Sequence, residues 1–203
     1  EAAKRQVRDA TGRSLSVPAN PQRVLCSGSG CLRLLTYLGA QNRICGVDST
    51  DKSATWIESR PYAAAHPEFK QLPLFGEGRG ADSPELIATI APELIFKITG
   101  GPGPAPQALQ TATGIPVVAL NYGNLSFGRD DLNASLRLMG RIMGRDQRAA
   151  QVIAYIDDIQ RDLKRRTAGV KTRPSCYVSG LANAGPHGIQ STDPSFAPFI
   201  FLG

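Results

Sequence analysis

Five short loops carry most of the side chains in this sequence that suit ligand binding. The first, residues 27–33, reads Ser-Gly-Ser-Gly-Cys-Leu-Arg and offers Ser29, the bare backbone of Gly30, and Arg33. Backbone N–H groups in such a strand-to-helix turn can face an anion. The second, residues 48–52, contributes Asp51 and Lys52, and the third, residues 76–80, alternates glycine with Glu77 and Arg79. Three glycines in five residues let a ligand come close to the backbone. The fourth loop begins with Lys97 and Thr99, and the fifth with Asn121 and Tyr122. Arg79 and Lys97, with Arg33 beside them, suit carboxylate or catecholate oxygens, the arginines in bidentate fashion, while Glu77 or Asp51 can accept from donors. Tyr122 and Phe75 suit an apolar or planar portion. Each loop alone reads as a turn; what they share is their place at the ends of apolar runs.

Catalytic signatures are missing from this set. There is no GxxxxGK[ST], HExxH or GxSxG, and the only histidines, His66 and His187, lie far apart in Pro-flanked loops. No catalytic residue is assigned. The first loop starts like a dinucleotide fingerprint but has Arg33 where a third glycine belongs, so no nucleotide cofactor is assigned either. No cluster of His, Tyr and carboxylates suits a bare metal ion, which favours a chelated or macrocyclic ligand over free metal. Cys26, Cys31, Cys45 and Cys176 lack zinc-site spacing. They read as buried small hydrophobes, with a disulfide among the first three as the alternative in an oxidising compartment.

The elements that must position these loops follow from apolar patterning. The chain has 203 residues, 41% hydrophobic and 20% charged, as expected for folded protein. Its formal charge of +6 is concentrated in residues 129–174, which hold 11 basic and 6 acidic side chains. Acid-first pairs Asp157–Arg161 and Asp162–Arg166 there make a solvated helix face the simpler reading, and no nucleic-acid partner is expected. No apolar run is long enough to span a membrane, and residues 1–13 are too polar for a signal peptide, so for an exported protein the signal has been removed.

A hairpin is expected around Thr11-Gly12, between Val7 and Val17. Apolar runs at 24–26, 44–47, 72–75, 94–98 and 117–120 then alternate with helical stretches, which predicts a parallel sheet flanked by helices. Leu32, Leu34, Leu35 and Leu38 form a helix closed by Gly39. Ser83-Pro84-Glu85 opens another with an N-cap, a first-turn proline and an acid. A third fills residues 104–113. Residues 129–169 are nearly pure helix former, with a kink or break expected near 144–146. A new strand is expected at 175–179, and residues 170–203 read as the start of a second lobe.

The order of these motifs resembles a known family. The N-terminal VRDATGRSLSVPANPQRVLCSGSGCLRLLTYLGAQNRICGVD is similar to periplasmic substrate-binding proteins of ABC importers for iron–siderophore complexes, haem and vitamin B12. The matching residues include Asp9, Gly12, Arg13, Pro18, Pro21, Arg23, Leu38, Gly39, Ala40, Gly46, Val47 and Asp48. SPELIATIAPELIF resembles the next helix and strand, with Glu93 in place of the usual Asp. The resemblance covers residues 5 to about 190.

The resemblance implies an α/β protein whose N-terminal lobe (1–128) holds a parallel sheet flanked by helices. A long interlobe spine helix (129–169) follows, then the incomplete start of a C-terminal lobe (170–203). A solute-binding protein of this kind captures an iron complex or related metal chelate or corrinoid in a cleft between lobes and passes it to a membrane ABC permease. Ligand-binding residues are then Ser29, Gly30, Asp51, Lys52, Glu77, Arg79, Lys97, Thr99, Asn121 and Tyr122, with His187 reaching over from the second lobe. Glu85 matches the acidic residue that docks on the permease. No resident cofactor or metal is implied. The expected location is periplasmic or otherwise extracytoplasmic, with a lipid anchor in a full precursor. Apolar Phe199, Ile200, Phe201 and Leu202 would favour self-association of a shortened chain. An α/β enzyme on a similar two-lobed scaffold is the alternative.

Overall fold

The computed structural model describes residues 3–52, 60–180, 188–193 and 196–202. The chain divides into two compact units, one ending at Ile153 and one running from Ala154 onward.

The first unit opens with the expected hairpin. Strands β1 (Lys4–Arg8) and β2 (Ser14–Pro18) pair antiparallel, with Arg8 opposite Ser14. Gly12 turns the chain with a φ of 84°, a conformation cheap only for glycine. Buried Asp9 fixes the turn: Oδ1 accepts from the Thr11 N–H at 3.0 Å, and Oδ2 accepts from the Arg13 guanidinium at 2.7 Å. Burial works against its charge, but these bonds and one from the Ala119 N–H hold its carboxyl below the usual range.

Behind the hairpin lies the parallel sheet. Strand β3 (Val24–Ser27) pairs with β7 (Leu94–Ile98), and β7 with β8 (Val117–Leu120), in registers Val24↔Leu94 and Ile95↔Val117. On the other side, a bridge from Val24 to Ile44 leads to β4 (Val47–Asp48), which pairs parallel with β5 (Leu74–Glu77). Every residue of β3, β7 and β8 is buried, which is why these strands read as unbroken apolar runs.

Two strands are shorter or later than the sequence suggested. The run at 44–47 pairs only at Val47–Asp48 apart from the Ile44 bridge, and the run at 72–75 becomes a strand over Leu74–Glu77. The pairing shifts register between Val47 and Asp48. A further two-residue strand, β6 (Ala81–Asp82), returns antiparallel on β5. It was not foreseen, because so short a segment carries no alternation.

Helices α1 (Cys31–Tyr37), α2 (Ser49–Lys52), α3 (Pro61–Ala64), α4 (Pro84–Ile90) and α5 (Pro106–Thr113) connect the strands. Their punctuation is as read: the Ser83 hydroxyl accepts from the Leu86 N–H at 3.3 Å, and Gly114 closes α5 with a φ of 70°. Cys26 and Cys31 are buried, Cys45 is half-buried and Cys176 exposed, and all four are free thiols.

The expected spine breaks near 144–146 as read, giving two helices, α6 (Arg129–Met143) and α7 (Asp146–Thr167), separated at Gly144, whose φ is 65°. Leu132, Leu136, Met139 and Ile142 of α6 are buried in the core of the first unit, as are Ala149 and Ile153. Through this apolar face residues 129–153 pack within the first compact unit.

In the second unit α7 continues to Thr167. Arg166 pairs with Asp162 at 2.6 Å, and Arg161 with Asp158, three residues back. The strand expected at 175–179 does not form: residues 170–179 carry no regular structure and are almost all exposed. A strand needs a neighbour to take its N–H and C=O groups, and no described segment of this unit pairs with it. Helix α8 (Ala197–Leu202) follows, with Phe199, Ile200 and Leu202 exposed.

Candidate functional site

The carboxyl ends of β3, β4, β7 and β8 open onto one face of the first unit, where a parallel sheet gathers its ligands. Two adjoining concavities lie there. The larger, about 490 Å³, is lined by the loop 28–30, Arg33, Tyr37, Asp48, Thr50, Asp51, Arg60, Tyr62 and Tyr122. The smaller, about 260 Å³, is lined by Gly28, Ser29, Arg79, residues 98–102 and Tyr122. Because Gly28, Ser29 and Tyr122 line both, the two form one groove.

The middle of the groove is built by close packing. Gly30 has a φ of 81°, and a Cβ placed there would lie 2.3 Å from Cε2 of Tyr122, so only glycine lets that ring seat. Arg33, in the first turn of α1, donates from Nη2 to the Tyr122 hydroxyl at 3.1 Å, and its guanidinium carbon sits 5.5 Å from the ring centroid. Tyr122 remains 42% exposed. The pair is a cationic and aromatic platform with one open side.

At one end of the groove, Asp51 is buried and accepts at Oδ1 from Arg60 Nη1 at 2.8 Å and from the Tyr62 hydroxyl at 2.7 Å. Burial and then the neighbouring Asp51 charge push the Tyr62 hydroxyl up, which keeps it a donor at neutral pH. Asp48 caps the start of α2, its Oδ1 accepting from the Asp51 N–H at 3.0 Å. Burial first, and the like charge of Asp51 second, push the Asp48 carboxyl up to about 6. Arg60 is thus tethered through Asp51 at the groove wall.

The expected residues divide into those on the groove and those behind it. Ser29, Gly30, Asp51, Arg79 and Tyr122 line it, as does Thr99, whose hydroxyl donates to the Leu120 carbonyl at 3.3 Å. Asn121 turns away: its Nδ2 donates to Asp131 Oδ1 at 2.8 Å. Lys52 donates to the carbonyls of Lys70 and Leu72, and Glu77 is exposed on β5, lining neither concavity. Phe75 is fully buried in the core, so it packs on no ligand.

Lys97 is 4% exposed and has a different employment from the one its charge suggested. Its ammonium donates to Asp82 Oδ2 at 2.5 Å, to the Gly80 carbonyl at 2.9 Å and to Ser27 Oγ at 3.2 Å, while Ser27 donates to Asp82 Oδ1 at 2.6 Å. That network ties the 78–82 segment to the sheet beneath the groove. His187 lies outside the described residues. Glu85 is exposed in the first turn of α4, where the α4 backbone and the Ser83 hydroxyl hold its carboxyl below the usual range.

Asp48, Arg60, Tyr37 and Tyr62 were not among the expected site residues. Asp48 ends a strand and opens the 48–52 loop, a signal that was available. Arg60 and Tyr62 flank a proline in no motif, and only the fold brings them to Asp51.

A groove at strand ends, backed by a parallel sheet and followed by long helices, is matched by sequence. The profile of the family described as "Periplasmic binding protein" covers residues 24–200. The chain belongs to the periplasmic binding protein family. Members of this family serve ABC importers as binding proteins. Among curated proteins no sequence match is found.

Solved structures place this periplasmic binding protein beside others of the fold. A periplasmic solute binding protein from Veillonella parvula is 21% identical with a TM-score of 0.69, covering 86% of this chain and 51% of its own. The molybdate periplasmic binding protein MolA of Haemophilus influenzae is 19% identical with a TM-score of 0.68, covering 83% and 55%. The petrobactin-binding protein YclQ of Bacillus subtilis is 17% identical with a TM-score of 0.62, covering 84% and 56%. The chain therefore spans about half the length of these solved proteins. The family and these neighbours are named as binding proteins, and the likeness is one of fold.

Proposed function

We propose that this chain is the solute-binding component of an ABC importer and that its groove receives an anionic metal complex of the siderophore or haem type. The observation that carries the reading is the groove itself, where Arg33, Arg60 and Arg79 share one face with Tyr122, Tyr62 and Tyr37. Guanidinium forks match carboxylate or catecholate oxygens, and aromatic rings match a flat apolar surface. Asp51 is already taken by Arg60 and Tyr62, and Asp48 by the Asp51 N–H. Among the described residues no group of three or more His, Cys, Asp or Glu is placed to hold a bare cation. Structural neighbours named for petrobactin and heme support the same ligand class.

Delivery to a membrane permease completes the proposal. Glu85 is the candidate contact, exposed and rigidly placed by its helix N-terminus; a charge in that position steers docking more than it adds affinity. Work outside the cytoplasm follows from the family.

Titration of the full chain with a ferric catecholate siderophore, haemin, cobalamin and molybdate, followed by intrinsic fluorescence, tests the reading. Saturable quenching by the siderophore or haemin, weakened in Arg60→Gln, is expected. Response to molybdate alone would replace the chelate with an oxyanion, and no response to any chelate would remove the proposal.

A further inference from the structure

A second concavity, of about 440 Å³, lies on the first unit between the N-terminal hairpin and helix α6, and the ligand groove does not use it. Arg8, the last residue of β1, stands on one wall; Arg137 and Arg141, one turn apart on α6, stand on the other. Both walls are anchored to the end of β8. On the hairpin side the Ala10 N–H donates to the Ala119 carbonyl at 3.1 Å, and the Ala119 N–H to Asp9 Oδ2 at 3.2 Å. On the helix side Ser135 Oγ donates to the Asn121 carbonyl at 2.7 Å, and Asn121 Nδ2 to Asp131 Oδ1 at 2.8 Å. The separation of the cationic walls is therefore fixed by the core, not by the arginines.

The charge inside is unbalanced. Asp9 and Asp131 are the carboxylates that line the cavity, and Asp9 is committed to Arg13 at 2.7 Å. No described carboxylate pairs with the guanidinium of Arg8, Arg137 or Arg141. Arg137 and Arg141, four apart on α6 and both exposed, present two like charges on one side of the hollow. Arg8, Arg137 and Arg141, all exposed and each without a described carboxylate partner, line one hollow, and three guanidiniums suit a tetrahedral anion. A phosphate group has more oxygens to share among three guanidiniums than a carboxylate, and each fork can take two.

We infer that the hairpin–α6 cavity is an anion site for a phosphate group, carried by a free polyphosphate or phosphate ester or by the headgroup of an anionic phospholipid. It stands apart from the ligand groove and does not depend on what that groove binds. Arg8 closes the site from the hairpin, while Arg137 and Arg141 provide its helical half.

Isothermal titration of the full chain with pyrophosphate at low ionic strength, and co-sedimentation with phosphatidylglycerol and with phosphatidylcholine vesicles, test the site. R137Q/R141Q and R8Q are the variants, R161Q on α7 is the control, and thermal melts verify that each is folded. At least tenfold weaker pyrophosphate binding in both site variants, with R161Q unchanged, is expected for a free phosphate ligand. Sedimentation with phosphatidylglycerol only, lost in the same variants, assigns the headgroup. Because R8Q lies on the hairpin, it keeps the test valid should the helix variant fail to fold. Absence of binding to pyrophosphate and to both vesicles, or binding equal in wild type and site variants, overturns the inference.

Discussion

Lys97 and Asp82 form an ion pair at 2.5 Å beneath the floor of the ligand groove, with the lysine side chain 5% exposed and the aspartate side chain fully buried. A charge placed at the end of a parallel strand looks like a ligand contact when read alone. Here its three partners all belong to the protein, so it holds the floor in place instead of binding.

Breaking that pair should therefore cost stability before it costs affinity. Lys97→Met leaves a buried carboxylate unpaired, and urea unfolding is expected to show a loss of about 3–5 kcal/mol. Pairing it with Asp82→Leu should restore a large part of that loss, since the uncompensated charge is removed. Equal stability in Lys97→Met and wild type would mean the ammonium is not locked as described.

Asp48 gives the protein a pH dependence of unusual sign for a carboxylate. Its folded value is raised from 3.8 to about 6, so between those values the folded state holds more protons than the unfolded state and stability falls as pH rises. Below about 4 the penalty vanishes, and above about 6 it is complete, on the order of 3 kcal/mol. Asp48→Asn keeps an acceptor for the Asp51 N–H and removes the charge. Melting curves should place this variant above wild type at pH 7.5 and level with it near pH 4.

Gly30→Ala is expected to damage the groove through Tyr122. The substitution strains a φ of 81° and puts a methyl 2.3 Å from the ring, so the ring must leave its seat. A stability loss of about 1–2 kcal/mol and weaker ligand binding are expected. Adding Tyr122→Ala should recover the steric part of the stability loss but not the binding, measured by melting and by titration in parallel.

How much of this was legible in the sequence depended on range. The hairpin turn at Gly12, the Ser83 cap and the Gly144 break are set by residues within a few positions of each other, and each was readable. The buried strands announced themselves because both faces are covered. The ion pair of Lys97 was not legible because its partner Asp82 is fifteen residues earlier, on a two-residue strand with no pattern of its own. Arg60 and Tyr62 were missed for the same reason: their relation to Asp51 exists only once the chain has folded. The strand at 175–179 had the right composition but finds no neighbour among the described residues of its unit.

Thiol reactivity separates the four cysteines. Cys176 is exposed and should react with a disulfide reagent at once, Cys45 more slowly. Burial, and next the adjacent Cys31 thiol, push Cys26 well up, so Cys26 and Cys31 should react only on unfolding. Two or more fast thiols beyond Cys176 would contradict the packing around β3.

The most direct test of the central claim is the affinity of the full chain for a ferric catecholate siderophore and for haemin, compared between wild type and the Arg33→Ala/Tyr122→Ala variant. These residues form the open platform of the groove, and thermal melts verify that the variant is folded. Saturable binding by the wild type, weakened at least tenfold in the variant, is the result predicted here. Undiminished binding in the variant, or none in either protein, would contradict it.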